Sequence, residues 1–339
     1  MCLAAFYLTW AWLVVSQNMW GEVVAHWPIS LAMAIGSYAA GSTPMGGGTV
    51  GFPVLVLFFD QPASLGRDFS FAIQSIGMVS ASIFILVRKQ KLATTLLYGA
   101  ILGALLGTPA GIFYISPHIP DLWVKLTFSV IWASFGVLHL YRIGEISTHT
   151  GMTAIGKHWD FVVGILLGVF SSATMAAVTG VGIDMVVYAA LVLLCRADLK
   201  IAIPTSVIIM AFTSLLGISI KGISQDIQPE VYANWLAAAP VVALGAPLGV
   251  FVVEKMGRKP ILLFVAVLCV GQFIWTCVSE KDSLGISGTL LSLAIVGACI
   301  LGFEKLRSWG ILLTSRHDHG KMSQEAKLSY GKTLDRDPV

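Results

Sequence analysis

A chain of 339 residues in which 56% are hydrophobic and only 12% charged is no water-soluble domain, where about a quarter of residues carry charge. The net charge of +3 sits in short connectors and excludes a nucleic-acid-binding face. With a mean hydropathy of +0.83 and several apolar runs longer than about 18 residues, the chain is an all-α polytopic membrane protein.

Residues 2–15 are apolar but short for a span, and they lack the basic start and cleavage site of a signal peptide. The connector behind them carries Trp20 and Trp27, residues suited to the membrane interface. Residues 1–27 are therefore read as a first transmembrane helix and its connector.

Residues 28–60 would make a rod of roughly 50 Å as one helix, against a hydrocarbon core of about 30 Å. Midway stands Gly41-Ser42-Thr43-Pro44-Met45-Gly46-Gly47-Gly48-Thr49. Pro44 lacks a donor and each glycine costs a helix about 1 kcal/mol against alanine. In lipid such a break is tolerated only where protein buries it or a cavity adjoins it. Two half-helices that enter and return are expected. The cluster is either a substrate site of exposed amides or a packing feature without a ligand.

Spans follow at residues 69–87, 92–115 and 122–141. The second carries Gly99, Gly103, Gly107 and Gly111 at every fourth position, a pattern for close helix packing. Residues 159–194 are again too long for one span and again interrupted, at Thr179-Gly180-Val181-Gly182-Ile183-Asp184. Further spans are expected at 199–220, 232–253 and 260–278, and a last one at 284–303. The polar residues beyond lack apolar periodicity and are read as a disordered tail. Its His317-Asp318-His319 is taken as solvated. The cysteines Cys2, Cys195, Cys269, Cys277 and Cys299 lie in or beside apolar runs and read as small hydrophobes, not as a disulfide frame or metal site.

Three patterns recur in order at similar offsets: Asp68 with Ala72-Ile73 and Asp198 with Ala202-Ile203; Gly46-x-Gly48 and Gly180-x-Gly182; Gly107-x-Pro109-x-Gly111 and Gly245-x-Pro247-x-Gly249. The chain thus reads as two repeats, 28–157 and 158–283, each a broken hairpin plus three spans, followed by a last helix at 284–304 and a tail at 305–339. Placing Arg88, Lys89 and Lys91 in the cytoplasm also places Arg142, Arg196, Lys255, Arg258 and the C-terminus there. That requires the second long segment to return, and it makes the repeats inverted. Lys221 and Lys281 are exceptions.

Inverted repeats with interrupted helices are the signature of secondary transporters, and paired interruptions point to the binding site. Half-helix N-termini offer free N–H groups and partial positive charge, which suit an anion. Candidate substrate contacts are Ser42, Thr43, Gly46, Gly47, Gly48 and Thr49 at the first break, and Thr179, Gly180 and Gly182 at the second. Gln74 and Ser75 in the span after the first break correspond to Pro204 and Thr205 after the second, with Ser206 beside them. Each hydroxyl can equally bond its own helix backbone. Asp184 is the one carboxylate deep in an apolar run. It either couples transport to a proton or caps its own half-helix. His139 reads as a satisfied interior or interfacial histidine. An intramembrane aspartyl protease needs two facing aspartates at depth, which the chain lacks, so no enzyme is expected. An anion-selective channel is the alternative to a carrier.

At these residues the sequence resembles the sulfite exporter TauE/SafE family, also called the toluene-sulfonate uptake permease family. The first break, from Thr43 through the glycine triplet to Pro53, matches the family's glycine cluster followed by proline. The second departs from it, with two glycines and Asp184. The likeness covers about residues 29–278. It implies movement of sulfite, an organosulfonate such as sulfoacetate, or another small sulfur-containing anion. It also implies an ion gradient as the driving force; Asp184 points to H+ as the coupling ion, a cell membrane such as the bacterial inner membrane is the expected location, and no cofactor is expected.

Overall fold

The computed structural model describes residues 2–153, 156–224, 226–256 and 259–334. Hydrocarbon offers backbone amides no water, so a chain this apolar satisfies them within helices. Eight helices among the described residues are long and apolar enough to cross a membrane. The chain is a multi-pass, all-α membrane protein.

Helices α1 (Cys2–Ser16) and α2 (Trp20–Ala25) lead into α3 (Trp27–Ser42). That helix stops at Thr43, whose extended backbone (φ −134°, ψ 166°) is what the residue before a proline prefers. Helix resumes as α4 (Gly48–Pro53), prolonged by a π-helical turn over Val54–Phe58. Then come α5 (Ala63–Val87), α6 (Thr94–Ala110, prolonged by irregular turns through His118) and α7 (Asp121–Ile146). The second long segment is α8 (Lys157–Ser171), a π-helical turn over Ser172–Ala176 and α9 (Ala177–Thr179). It breaks at residues 180–182 and continues as α10 (Ile183–Ala189), with a π-helical turn over Ala190–Leu194. Gly180 and Gly182 sit at φ +79° and +111°, conformations a side chain would strain. Helices α11 (Leu199–Ile223), α12 (Pro229–Met256), α13 (Lys259–Ser279) and α14 (Lys281–Leu334, kinked at Gly285) complete the chain.

Both long segments break where the glycines stand, and both return. In the first, Gly36 lies against Val50, Met33 against Gly51 and Ala40 against Gly47, contacts in reversed order that define an antiparallel pair. In the second, the Thr153 amide donates to Cys195 O at 2.9 Å and the Asp198 amide to Gly151 O at 2.7 Å. The end of that segment therefore lies beside its beginning. Only the proportions differ from expectation. The outgoing arm, residues 157–179, is itself long enough to span, so the second segment is a full helix with a short return.

Glycines set the next layer. A Cβ on Gly99, Gly103, Gly107 or Gly111 would stand 2.2–2.4 Å from a backbone or hydroxyl oxygen of α8 or the turn after it, so the two backbones touch along the whole ladder. Packing of α12 on α3 has the same character. A Cβ on Gly41 would meet Ala246 O at 1.8 Å, and one on Gly249 would meet Tyr38 O at 2.3 Å. Each half thus packs its glycine-proline helix against the broken segment of the other half.

Charged residues correct three boundaries. Helix α5 starts at Ala63 and takes in Arg67 and Asp68, expected in a connector. Asp68 is 1% exposed and pairs with Arg67 Nε at 2.7 Å and Lys221 Nζ at 3.2 Å. Lys221, an exception to the loop-charge pattern, is thus buried and paired, also to Asp226. Helix α7 runs on to Ile146 because Arg142 pairs with Glu304 and Glu145 with Arg307 and Arg196. Those pairs hold α14 past Glu304, where a disordered tail is expected. Gly310 then rests on Leu193 O, 2.1 Å from where its Cβ would be, and the helical backbone continues to Leu334. Arg258 and the side chains of Lys255, His317, Asp318 and His319 lie outside the described residues.

Lys221→Met should strand a buried carboxylate. Arg67 still partners Asp68, so the loss should fall at the lower end of the range for broken buried pairs, about 3 kcal/mol. Thermal unfolding in detergent measures it, and adding Asp68→Asn should recover most of the loss.

Candidate functional site

The tips of the two breaks meet, and α5 braces them. Gly46, at φ +61°, turns its Cα toward both Gln74 and Asp184. A Cβ there would stand 2.1 Å from Gln74 Oε1 and 3.0 Å from Asp184 Oδ2. One on Gly48 would stand 2.4 Å from Val181 Cγ1, and one on Gly180 would stand 2.4 Å from Arg67 O. Glycine is needed here because the side chains of Gln74, Asp184 and Val181 and the backbone of α5 fill the space a Cβ would take. Gln74 also joins α5 to the second break: its Nε2 donates to Ser70 O and to Gly180 O, each at 3.1 Å.

The two breaks spend their amides differently. At the first, residues 44–47 form a turn in which the amides of residues 45–48 make no hydrogen bond of good geometry among the described residues, the next bond being Thr49 N to Gly46 O at 3.3 Å. At the second, Gly180 N donates to Ala176 O at 2.7 Å and Val181 N to Thr179 Oγ1 at 3.4 Å. Gly182 N and Met185 N both donate to Asp184 Oδ1, at 3.1 and 3.0 Å. The expectation that Gly180 and Gly182 present bare donors is thus corrected. Ala176 O takes the Gly180 amide and Asp184 Oδ1 takes that of Gly182, as in the capping alternative, while Asp184 Oδ2 has no hydrogen-bond partner.

Beside the first break lies a cavity of about 30 Å³, lined by Met45, Gly46, Thr49, Val50, Cys269 and Gln272 among others. Gln272 projects from α13, and its buried Nε2 has no partner. Its lining joins one side-chain amide to Met45 and Gly46 of the break, and amide donors of that kind suit an oxyanion.

Residues 29–275 match the family model described as Sulfite exporter TauE/SafE. The chain belongs to the sulfite exporter TauE/SafE family. No curated protein and no solved structure matches it.

The TauE/SafE region takes in both breaks, the bracing helix α5 and Gln272. Within it the hydroxyl candidates divide. Ser42 donates to Tyr38 O, Thr43 to Ala39 O, Ser75 to Ala72 O and Ser206 to Ile203 O. Thr49 donates to Met45 O and Thr179 to Met175 O and Val181 O. Each hydroxyl proton is spent on nearby backbone, the alternative weighed for them. Only Thr49 borders the cavity at the first break. Ser75 instead faces an apolar groove of about 400 Å³ that it shares with Leu3, Phe6, Val79, Phe84 and Pro247. Thr205 donates to Ile201 O and accepts from the Ala93 amide, so no contact carries it to either break. His139 is satisfied: Nδ1–H donates to Phe135 O and Nε2 accepts from the Tyr188 hydroxyl, each at 2.9 Å.

Sequence reasoning missed Gln272. The available signal was a lone amide side chain in the otherwise apolar stretch of residues 260–278, the same kind of signal that marked Gln74.

Proposed function

We propose that this TauE/SafE member is a secondary carrier of a small sulfur oxyanion such as sulfite or an organosulfonate. The anion sits at the first break on the amides of residues 45–48 and on Gln272 Nε2, and Asp184 carries a coupling proton. The observation that supports this most is the run of unsatisfied amides at a glycine break facing a buried amide side chain. A donor cluster without acceptors, held at membrane depth, costs folding free energy unless an acceptor visits it. The sulfur of the substrate comes from the family. The preference for an anion comes from the donors themselves.

A carrier fits the cavity better than a channel does. A cavity of about 30 Å³ has room for only a few waters, so an oxyanion enters only if the walls move. Helix α13 is the candidate moving wall, because it closes the cavity through Cys269 and Gln272 while its opposite face is exposed. The two breaks act as the fixed floor, held by the glycine ladders. With the repeats inverted, opening alternates between the two sides of the membrane, and the C-terminus faces the cytoplasm.

The test is a flux panel in proteoliposomes with sulfite, thiosulfate, sulfoacetate, sulfate and nitrate, with and without a pH gradient. Saturable movement of at least one sulfur anion, stimulated by the gradient, is expected. Linear, unsaturable flux would assign a channel. Gln272→Leu should raise the KM for that anion about 10- to 100-fold, the worth of a hydrogen bond to a charged group.

A further inference from the structure

Gln74 and Asp184 are 1% and 0% exposed, and each leaves one oxygen without a partner, Gln74 Oε1 and Asp184 Oδ2. Both oxygens border the same space beside Gly46. They lie within 3.0 Å of the position a Cβ on Gly46 would take. The amide of Gln74 cannot be turned over to relieve this, because its Nε2 donates to two carbonyls, Ser70 O and Gly180 O. An oxygen in that place would face two acceptors. Nor can Asp184 turn over to gain anything, since Oδ1 holds the amides of Gly182 and Met185. Two acceptors therefore confront each other across a glycine that offers no donor from a side chain.

Resting on the carrier reading above, we propose that Gln74 is the acceptor for the proton on Asp184. Neutral Asp184 donates through Oδ2 to Gln74 Oε1 and ties the second break to α5. When the proton leaves to water, the carboxylate faces a carbonyl dipole of the same sense, and that bond is lost while Gln74 Nε2 still holds Gly180 O. The proton moves only between Asp184 and water; Gln74 accepts a hydrogen bond and takes up no proton. The anion's amides at residues 45–48 adjoin this tie through Gly46, so the protonation state and the substrate site share one glycine.

The titratable and charged groups on the surrounding elements are engaged with one another or with backbone. His139 of α7 holds Tyr188 of α10. Arg67 and Asp68 of α5 pair with each other and with Lys221 of α11, Asp160 lies near the start of α8 and is buried, and Cys269 of α13 touches Met45. No hydrogen bond or ion pair links any of them to Asp184 among the described residues, which leaves Gln74 as the neighbour that senses its proton.

The test is infrared difference spectroscopy of the full chain in liposomes, stepped in pH, following the C=O band of a protonated carboxyl. The wild type should show one such band that Asp184→Asn removes. Gln74→Met fills the same space without an acceptor. It should move the band to higher wavenumber and its midpoint to lower pH, since only the protonated form loses a partner. Gly46→Ala places a methyl 2.1 Å from Gln74 Oε1 and 3.0 Å from Asp184 Oδ2 and must push the Gln74 carbonyl away, so it should shift the band the same way even if Gln74→Met folds poorly. A band present in the wild type but unmoved in both variants overturns the role of Gln74 and leaves the coupling role of Asp184 intact. No Asp184 band at any pH, or a response to sodium in place of protons, overturns both.

Discussion

Gly103→Val should leave little monodisperse protein, with a stability loss of about 3 kcal/mol or more. The added atoms cannot be absorbed by a side chain turning away. The Cβ alone would stand 2.3 Å from Ile165 O, 2.7 Å from Val169 N and 2.9 Å from Gly168 Cα, all backbone. Overpacking of a rigid contact costs about 1–3 kcal/mol, and here relief requires α6 and α8 to separate along all four rungs. Helices in lipid have no hydrophobic drive to recover that contact elsewhere, because close packing is what holds them together. The control is Gly271→Ala on α13, where a Cβ meets nothing within 4 Å. It should be neutral or gain up to about 1 kcal/mol from helix propensity. Thermal unfolding by size-exclusion profile in detergent reads both. If Gly103→Val unfolds at the wild-type temperature, the two backbones are not in contact.

The same ladder shows what a sequence of this kind makes legible. Glycines at every fourth position of an apolar run have few physical readings, so packing could be stated from residue types alone. The breaks were equally plain, because a proline and three glycines inside a long apolar run cannot continue a helix. What the sequence hides is partnership. Nothing in residues 67–68 distinguishes a connector from a buried ion pair until Lys221, on another helix, is brought beside them. Glu304 and Arg307 look like the start of a polar tail unless Arg142 and Glu145 are known to face them.

The candidate site divides in the same way. Residue type marked Gln74 and Asp184, since a polar group deep in an apolar run is costly and therefore informative. Residue type says less at Ser75, Thr205 and Ser206, since a hydroxyl in a membrane helix can always satisfy itself on its own backbone, as each does here. Spacing placed Gly180 and Gly182 on a par with Gly46 and Gly48. Yet the aspartate two residues after Gly182 takes up the donors that the first break leaves free. The two breaks therefore differ in which donors they leave free.

That asymmetry makes Asp184→Asn the sharpest test of function. Asparagine retains Oδ1, so the amides of Gly182 and Met185 keep their acceptor and the fold should be preserved, unlike Asp184→Ala, which forfeits a cap worth about 1 kcal/mol. The change falls on Oδ2 alone. A carboxyl that gains and loses a proton becomes an amide NH2 that always donates, so the variant is held in the equivalent of the protonated state. For a carrier moving one proton per anion, each pH unit across the membrane drives about tenfold accumulation. In Asp184→Asn that ratio should fall to about one, while anion exchange between equal concentrations on both sides continues, because the first-break amides and Gln272 are untouched. Proteoliposome uptake and counterflow, measured on the same preparation, separate the two. Retained pH-driven accumulation would leave Asp184 with its cap as its whole role. Loss of counterflow as well would mean that the aspartate also holds the substrate site in shape.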